Sequence, residues 1–457
     1  MIRIPEKTEQ LTELSFKALF FLYVGLGSCS LTYGRSVISW VMYAAFLMGG
    51  VVLLMRLLSL RRYVRMPLLI CGVLMWLSCA AAAAANLSYF TTRTAVILIL
   101  WAFYFFILYA QPEDRDSPRL LREFRGLSLV YLAWVTVLAL ISVGMLAARY
   151  EVHYRDPANG MYEVAIGFFS GRLWGAFQDP NLGSVMCVGG IALCVYWIIE
   201  KKSAALRTAL GVDIALFVFY MACSDSRNGM VCLGVLSALG MLWIMVKNKD
   251  KVNPLLAAIV VLTGFVCGML LAQLVQELYN SLMEVTGGPL INRGYSMEGD
   301  LSNRRLSIWR SGLELGLTRP VTGISFPAVV DYAKDHLPDT YIISNDLWEF
   351  NTFDSEPVNI FVSQGIPGVL ILGAWVLGAV WIFFKNIAAA ASGRDRELFL
   401  LTALCCIMAV SALFQGTMFY QTSPNTFMFW CAFGTLLRLL RGGGRKAGED
   451  DEEVRPI

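Results

Sequence analysis

Residues 229–276 read GMVCLGVLSALGMLWIMVKNKDKVNPLLAAIVVLTGFVCGMLLAQLVQ. Two apolar runs, at about 229–246 and 254–277, flank the basic connection KNKDK. Each run approaches the roughly 20 residues that a helix needs to cross the hydrocarbon of a bilayer. A short connection rich in lysine marks the cytoplasmic side of a membrane. The stretch therefore reads as a hairpin of two membrane helices with its loop inside.

The same pattern recurs along the 457-residue chain, which is 57% hydrophobic and only 16% charged. A soluble domain carries about a quarter charged residues, so this balance points to the bilayer. Twelve apolar segments are expected, near 14–33, 36–57, 67–85, 94–110, 127–147, 182–199, 208–223, 229–246, 254–277, 357–384, 397–414 and 425–440. The fold class expected is all-α and polytopic, with about 12 transmembrane helices in a single integral-membrane domain over residues 1–457. The connections RLLSLRRYVRM, PEDRDSPRLLREFR, EKKSAALR, KNKDK and KNIAAAASGRDR and the tail RLLRGGGRKAGEDDEE are basic and fall on one side when both termini are cytoplasmic. The first span is read as retained, not as a cleaved signal. Residues 441–457 read as a disordered, solvated cytoplasmic tail.

Three larger connections then face outward: about 148–181, the tight CSDSRNG at 223–229, and a long loop at 278–356, between the ninth and tenth spans. Long ordered loops are usually functional, and this one is expected to carry short helices. SNRRLSIWRSGLELG at 302–316 is one, with Ser302 or Asn303 as its N-cap and Arg310 paired with Glu314. A net charge of +3, without a basic tract, gives no sign of nucleic acid. The eleven cysteines are scattered, mostly in apolar runs, and make no zinc-type spacing.

On the outer side Lys334 is the one lysine, and the other basic residues are Arg35, Arg93, Arg149, Arg155, Arg172, Arg227, Arg293, Arg304, Arg305, Arg310 and Arg319. Guanidinium is a planar, permanently charged fork that matches phosphate oxygens. Arg172 stands in SGRLWGAFQDPNLGSV (170–185) beside Trp174 and Phe177, aromatic groups suited to a sugar ring. Asp179 and Asn181 in the same stretch suit sugar hydroxyls, although DPN also reads as a helix start with Asp179 as cap and Pro180 at the first position. Arg227 lies in a turn too short to leave the membrane surface, with Asp225 as a candidate partner.

These residues carry a resemblance. GRLWGAFQDPN before one span, SRNG opening a span two helices later, RRLSIWRSGLELGLTRPVTGI in the long loop and SQGIPGVLILG entering the next span are together similar to the O-antigen ligase and polymerase family of bacterial membrane glycosyltransferases. The similar region covers about 165–385. The resemblance implies a multi-pass protein of the bacterial cytoplasmic (inner) membrane, embedded in the lipid bilayer. It implies transfer of a glycan from undecaprenyl pyrophosphate at the outer face to a glycan, lipid or protein acceptor. No cofactor or metal is implied. Carried across, Arg172, Arg227 and Arg305 are pyrophosphate-binding, with Arg304 in reserve. Arg310 is added from its place on the same helix, and Trp309, four residues after Arg305, joins the glycan-binding set of Trp174, Phe177, Asp179 and Asn181.

One departure bears on the chemistry. Ligases of the family carry a His-Asn pair eleven residues before the glycine that opens the next span. Counting back from Gly365 gives Asp354 and Ser355 in FDSEPVNIF. A positioned carboxylate deprotonates a hydroxyl as imidazole does, which makes Asp354 and Glu356 the candidate catalytic bases, with His336 behind them. The missing histidine favours polymerase over ligase. The alternatives are a transporter or flippase of lipid-linked sugars, and a non-catalytic partner of a polysaccharide synthase. Transporters place charge at mid-membrane, and here the intramembrane charges are few: Lys17 in the first span and Asp213 near the inner end of the seventh, neither with an obvious partner within its span.

Overall fold

The structure, a computed structural model, describes residues 5–155, 163–248, 253–292, 302, 304–345, 350–390, 394–416 and 418–452. Arg293 and Asn303 lie outside the described residues.

Every one of the twelve apolar segments is helical. In chain order the helices are α1 (Glu6–Gly27), α2 (Ser36–Leu58), α3 (Leu69–Ala85), α4 (Thr92–Phe103), α5 (Ser117–Ala147), α6 (Pro180–Glu200), α7 (Ala204–Ser224), α8 (Arg227–Asn248), α9 (Pro254–Thr286), α10 (Arg305–Thr318), α11 (Val329–His336), α12 (Glu356–Ala390), α13 (Asp395–Ser411) and α14 (Pro424–Glu452). Among the described residues, eight helices are long and apolar enough to cross a membrane, counting α4 with its π-helical continuation to Tyr109. α3 and α13, at 17 residues each, are shorter. The last helix runs to Glu452, into the segment expected as a disordered tail.

α6 runs through the centre, with 83% of its apolar stretch buried, whereas the apolar stretch of α12 is only 11% buried. α8 and α9 meet closely through glycine. A Cβ on Gly234 would stand 2.8 Å from the Phe265 carbonyl oxygen, and one on Gly268 2.7 Å from that of Leu233. Small residues let membrane helices approach backbone to backbone. α9 continues nine residues past its expected end, because its apolar pattern persists through Leu278, Leu282 and Val285 until Gly287, at φ 68°, closes it.

The connections separate between two ends. At one end the backbone N–H of Glu113 reaches the carbonyl of Arg62, Arg125 pairs with Glu397 at 2.5 Å, and Lys247 pairs with Asp395 at 3.3 Å. Lys17 has a partner after all: Glu13, one turn earlier on α1, at 2.5 Å. Glu13, buried, also holds Arg56 at 3.0 Å and Arg115 at 3.1 Å, so α1, α2 and the start of α5 are joined by compensated charge. Asp213 likewise has a hydrogen-bond partner, Thr136 of α5.

At the other end the segment 148–179 contains a three-stranded antiparallel sheet that the all-α expectation missed: β1 (Glu151–Arg155), β2 (Glu163–Phe169) and β3 (Arg172–Gly175). Ser170 and Gly171, at φ 53° and 71°, make the two-residue turn between β2 and β3. The sheet is tied down on two sides. The Asn292 N–H donates to the Gly171 carbonyl, and the Ser30 N–H, from the α1–α2 connection, donates to that of Ala176.

The segment between α9 and α12 has its own small core of Ile308, Leu315, Ile324, Val329, Tyr332, Ile342 and Phe353. It is anchored on a break in α12 at Gly365, whose φ of 67° and ψ of −162° leave the helix. There the N–H groups of Ile324, Ser325 and Ile366 bond to the carbonyls of Val362, Ser363 and Pro320. A Cβ on Gly365 would lie 2.4 Å from the Pro320 oxygen. Gly365→Ala is therefore expected to cost about 1–3 kcal/mol from the backbone conformation alone, read as a lowered midpoint of thermal unfolding in detergent.

Candidate functional site

β3 delivers Arg172 to the mouth of α6. Its Nε donates to the Ser224 carbonyl at 2.9 Å, and its Nη2 to Asn181 Oδ1 at 3.4 Å. Asn181 Oδ1 also accepts from the Ser226 hydroxyl at 3.1 Å. The guanidinium thus bridges the start of α6 and the turn from α7 to α8. That turn is made by Asp225 in the left-handed conformation, at φ 47°. Arg227 follows as the exposed first residue of α8.

Asp179 caps α6 by accepting from the Leu182 N–H at 2.8 Å, with Pro180 at the first helical position, as the sequence predicts. The same carboxylate accepts from the Gln415 side chain at 3.0 Å. Asn228 donates to Gln415 Oε1 at 3.3 Å and to the Ser411 hydroxyl at 2.9 Å. These amides join α6 and α8 to the α13–α14 connection.

Asp354 closes the site from the long segment. Its carboxyl is pushed up to about 6, chiefly by withdrawal from water; the nearby Arg305 guanidinium opposes this and the charge on Asp179 reinforces it. The coupling to Asp179 means that the mouth of α6 and the approach to α12 face each other. Asp354 itself sits at φ 50°, a conformation that costs a non-glycine residue about 1–3 kcal/mol. Arg305 opens α10 and lies over the Phe414 ring, 5.9 Å from its centroid.

Arg305 Nε and the indole N–H groups of Trp174 and Trp309 are among the buried donors with no acceptor among the described residues. An unmet buried donor costs about 1–3 kcal/mol, so a ligand rich in acceptor oxygens is favoured here. The N-termini of α6, α8 and α14 open at the same end, which adds positive potential.

Other expected site residues are placed differently. Phe177 is fully buried, its ring 4.7 Å from that of Tyr220, and serves the core rather than a sugar. Arg310 is exposed and paired with Glu314 at 2.9 Å, as expected of i,i+4 residues, but five residues from Arg305 it lies on another face of α10. The Ser302 hydroxyl accepts from the Leu306 N–H at 3.5 Å, and the helix begins behind Arg304 at φ 67°. His336 stacks on Tyr332 at 4.0 Å and has Tyr89 as a neighbour. Glu356 is buried, and its Oε1 accepts from the N–H groups of Met418 and Phe419 at 2.6 and 2.7 Å. Oε1 thus holds the α13–α14 connection, while Oε2 is buried with no hydrogen-bond partner among the described residues; Asp354 is the carboxylate coupled to the arginine. Replacing Arg310 or His336 by Ala is accordingly expected to leave activity within about threefold of the parent, a difference worth less than ~1 kcal/mol, in the transfer assay described below.

Gln415 and Asn228 are the contributions that sequence reasoning missed. Asn228 stands beside Arg227, which drew the reading to its charge, and 412–423 reads only as a short connection.

Residues 212–373 match the family model described as O-antigen ligase. The match supports the O-antigen ligase and polymerase family and a role in surface polysaccharide synthesis. It contains Arg227, Arg305 and Asp354, while Arg172 and the sheet precede it. No curated protein matches the chain.

Proposed function

On the premise of that family, we propose that the protein transfers a glycan from undecaprenyl pyrophosphate to an acceptor hydroxyl at the outer face of the cytoplasmic membrane. The observation that carries this reading is that Arg172, bonded to Asn181 at the mouth of α6, and Asp354, under the influence of Arg305 and of Asp179 at the same mouth, lie at one end of the bundle beside the unmet donors of Arg305, Trp174 and Trp309.

Asp354 takes the proton of the acceptor hydroxyl as its oxygen bonds to the anomeric carbon. The bond from that carbon to the pyrophosphate oxygen breaks, and the electron pair leaves with the pyrophosphate. Arg172, Arg305 and Arg227 neutralise the charge that gathers there, and fixed charges of this kind are often the largest catalytic contribution. Asn181 and Asp179 bind hydroxyls beside Trp174 and Trp309. No step needs a metal.

The orientation follows from charge. The end that holds Arg62, Arg65, Arg119, Arg125, Lys201 and Lys247 is cytoplasmic, and the end with the sheet and α10 is outside. On this topology all twelve apolar segments cross the membrane and both termini are cytoplasmic. Polymerase is favoured over ligase because Asp354 stands where ligases carry histidine.

The test is transfer by purified protein in lipid, given the undecaprenyl-pyrophosphate oligosaccharide of its own cells, with a chelator present. A ladder of lengthened products supports the polymerase, and product only on addition of a separate acceptor supports the ligase. Binding of the carrier without any product overturns the enzyme reading in favour of a transporter or silent partner.

A further inference from the structure

We infer that the three-stranded sheet carries a subsite for the sugars of the glycan chain, formed by a row of rings that leads away from Arg172. This rests on the function proposed above and extends it to a surface outside the matched stretch. Trp174 of β3 meets Phe169 of β2 edge to face, with centroids 6.3 Å apart. Phe169 in turn meets His153 of β1, with centroids 4.7 Å apart. The row passes from two half-buried rings to an imidazole whose side chain is 53% exposed.

The chemistry of the row selects its occupant. Aromatic faces are electron-rich and accept the C–H face of a pyranose, while the ring edges and polar handles remain for its hydroxyls. The Trp174 indole N–H is buried with no acceptor among the described residues, and a sugar oxygen would supply one. Glu151 lies 4.0 Å from His153 Nδ1 and is half exposed, so the outer end of the row ends in a hydroxyl acceptor. An acyl chain would gain nothing from the carboxylate or the imidazole. Arg172 and Trp174 share β3, which places the first ring two residues from the pyrophosphate clamp.

The sheet is fixed in place to serve this purpose. Asn292 and Ser30 bond to it from the α9 end and the α1–α2 connection, and Tyr220 donates to the Trp174 carbonyl at 3.1 Å. The row is therefore held at a constant distance from the mouth of α6.

Binding measured with the full chain in nanodiscs separates sugar from carrier. The two probes are undecaprenyl pyrophosphate without sugar and the same carrier bearing the oligosaccharide extracted from the producing cells. Phe169→Ala and His153→Ala are each expected to weaken binding of the glycan-bearing carrier by about three- to tenfold, as stacking contacts of this kind imply. Binding of the sugar-free carrier should stay unchanged. Tyr154→Ala, an exposed ring on β1 outside the row, should bind both probes as the parent does. If Phe169→Ala fails to fold, Phe169→Leu keeps the volume and removes the ring. Unchanged binding of the glycan-bearing carrier, or equal loss of both probes in a folded variant, would overturn the subsite. Failure of the parent protein to bind sugar-free carrier would instead contradict the pyrophosphate clamp. The row would then be tested with the free oligosaccharide released by mild acid, where His153→Ala must still weaken binding.

Discussion

Arg172→Ala is expected to lower the rate of glycan transfer by about 10²–10³-fold, the loss seen when one fixed stabiliser of developing charge is removed. Arg172 is held by the Ser224 carbonyl and Asn181, so its charge is in place before the leaving group acquires its own. Arg172→Lys should not restore the rate, because an ammonium lacks the planar fork that bridges two helices and an oxyanion together. A purely structural arginine would give another result. Its loss would lower the thermal midpoint, and Lys would recover part of both stability and rate. Arg227→Ala should fall in the same direction. Its position at the first turn of α8 puts it beside the turn that Arg172 grips.

Asp354→Asn is expected to reduce kcat by about 10²–10⁴-fold, the range for loss of a general base. The pH profile gives a second readout. With its carboxyl pushed up to about 6, Asp354 loses its proton only above that pH, so kcat/KM should fall on the acid side with an apparent pKa near 6. Arg305 holds this value down. Arg305→Ala should therefore move the limb to higher pH, while Asp179→Asn, by removing a negative neighbour, should move it lower. Stability runs the opposite way. A carboxyl raised from 3.8 to about 6 is favoured protonated in the folded chain, so its contribution is present below its ordinary range and is lost as pH rises through the folded value.

Much of the bundle was legible because membrane helices announce themselves by length and apolarity, and their connections by charge. KNKDK alone implies a hairpin, and α8 and α9 lie where it puts them. Asp179 and Pro180 were legible as a cap because capping is local. The sheet was not. Its strands are four to seven residues long, and the Ser170–Gly171 turn that joins two of them was the one available sign. Lys17 looked unpartnered because Glu13 falls just before the apolar run in which Lys17 was read. Phe177 read as a sugar contact from its neighbours in sequence, yet Tyr220, forty-three residues away, takes its face. Glu356 and Asp354 are alike in sequence. Only the fold gives one the N–H groups of Met418 and Phe419 and the other the guanidinium of Arg305.

Release of undecaprenyl pyrophosphate tests the central claim most directly. Purified protein in lipid is mixed with its glycan-bearing carrier and an acceptor, in the presence of a chelator, and the freed carrier is counted against glycosidic bonds formed. The account predicts one carrier released per bond, lost in Arg172→Ala and Asp354→Asn while both variants still fold. Bond formation that survives both substitutions, or carrier that binds and is never released, would contradict it.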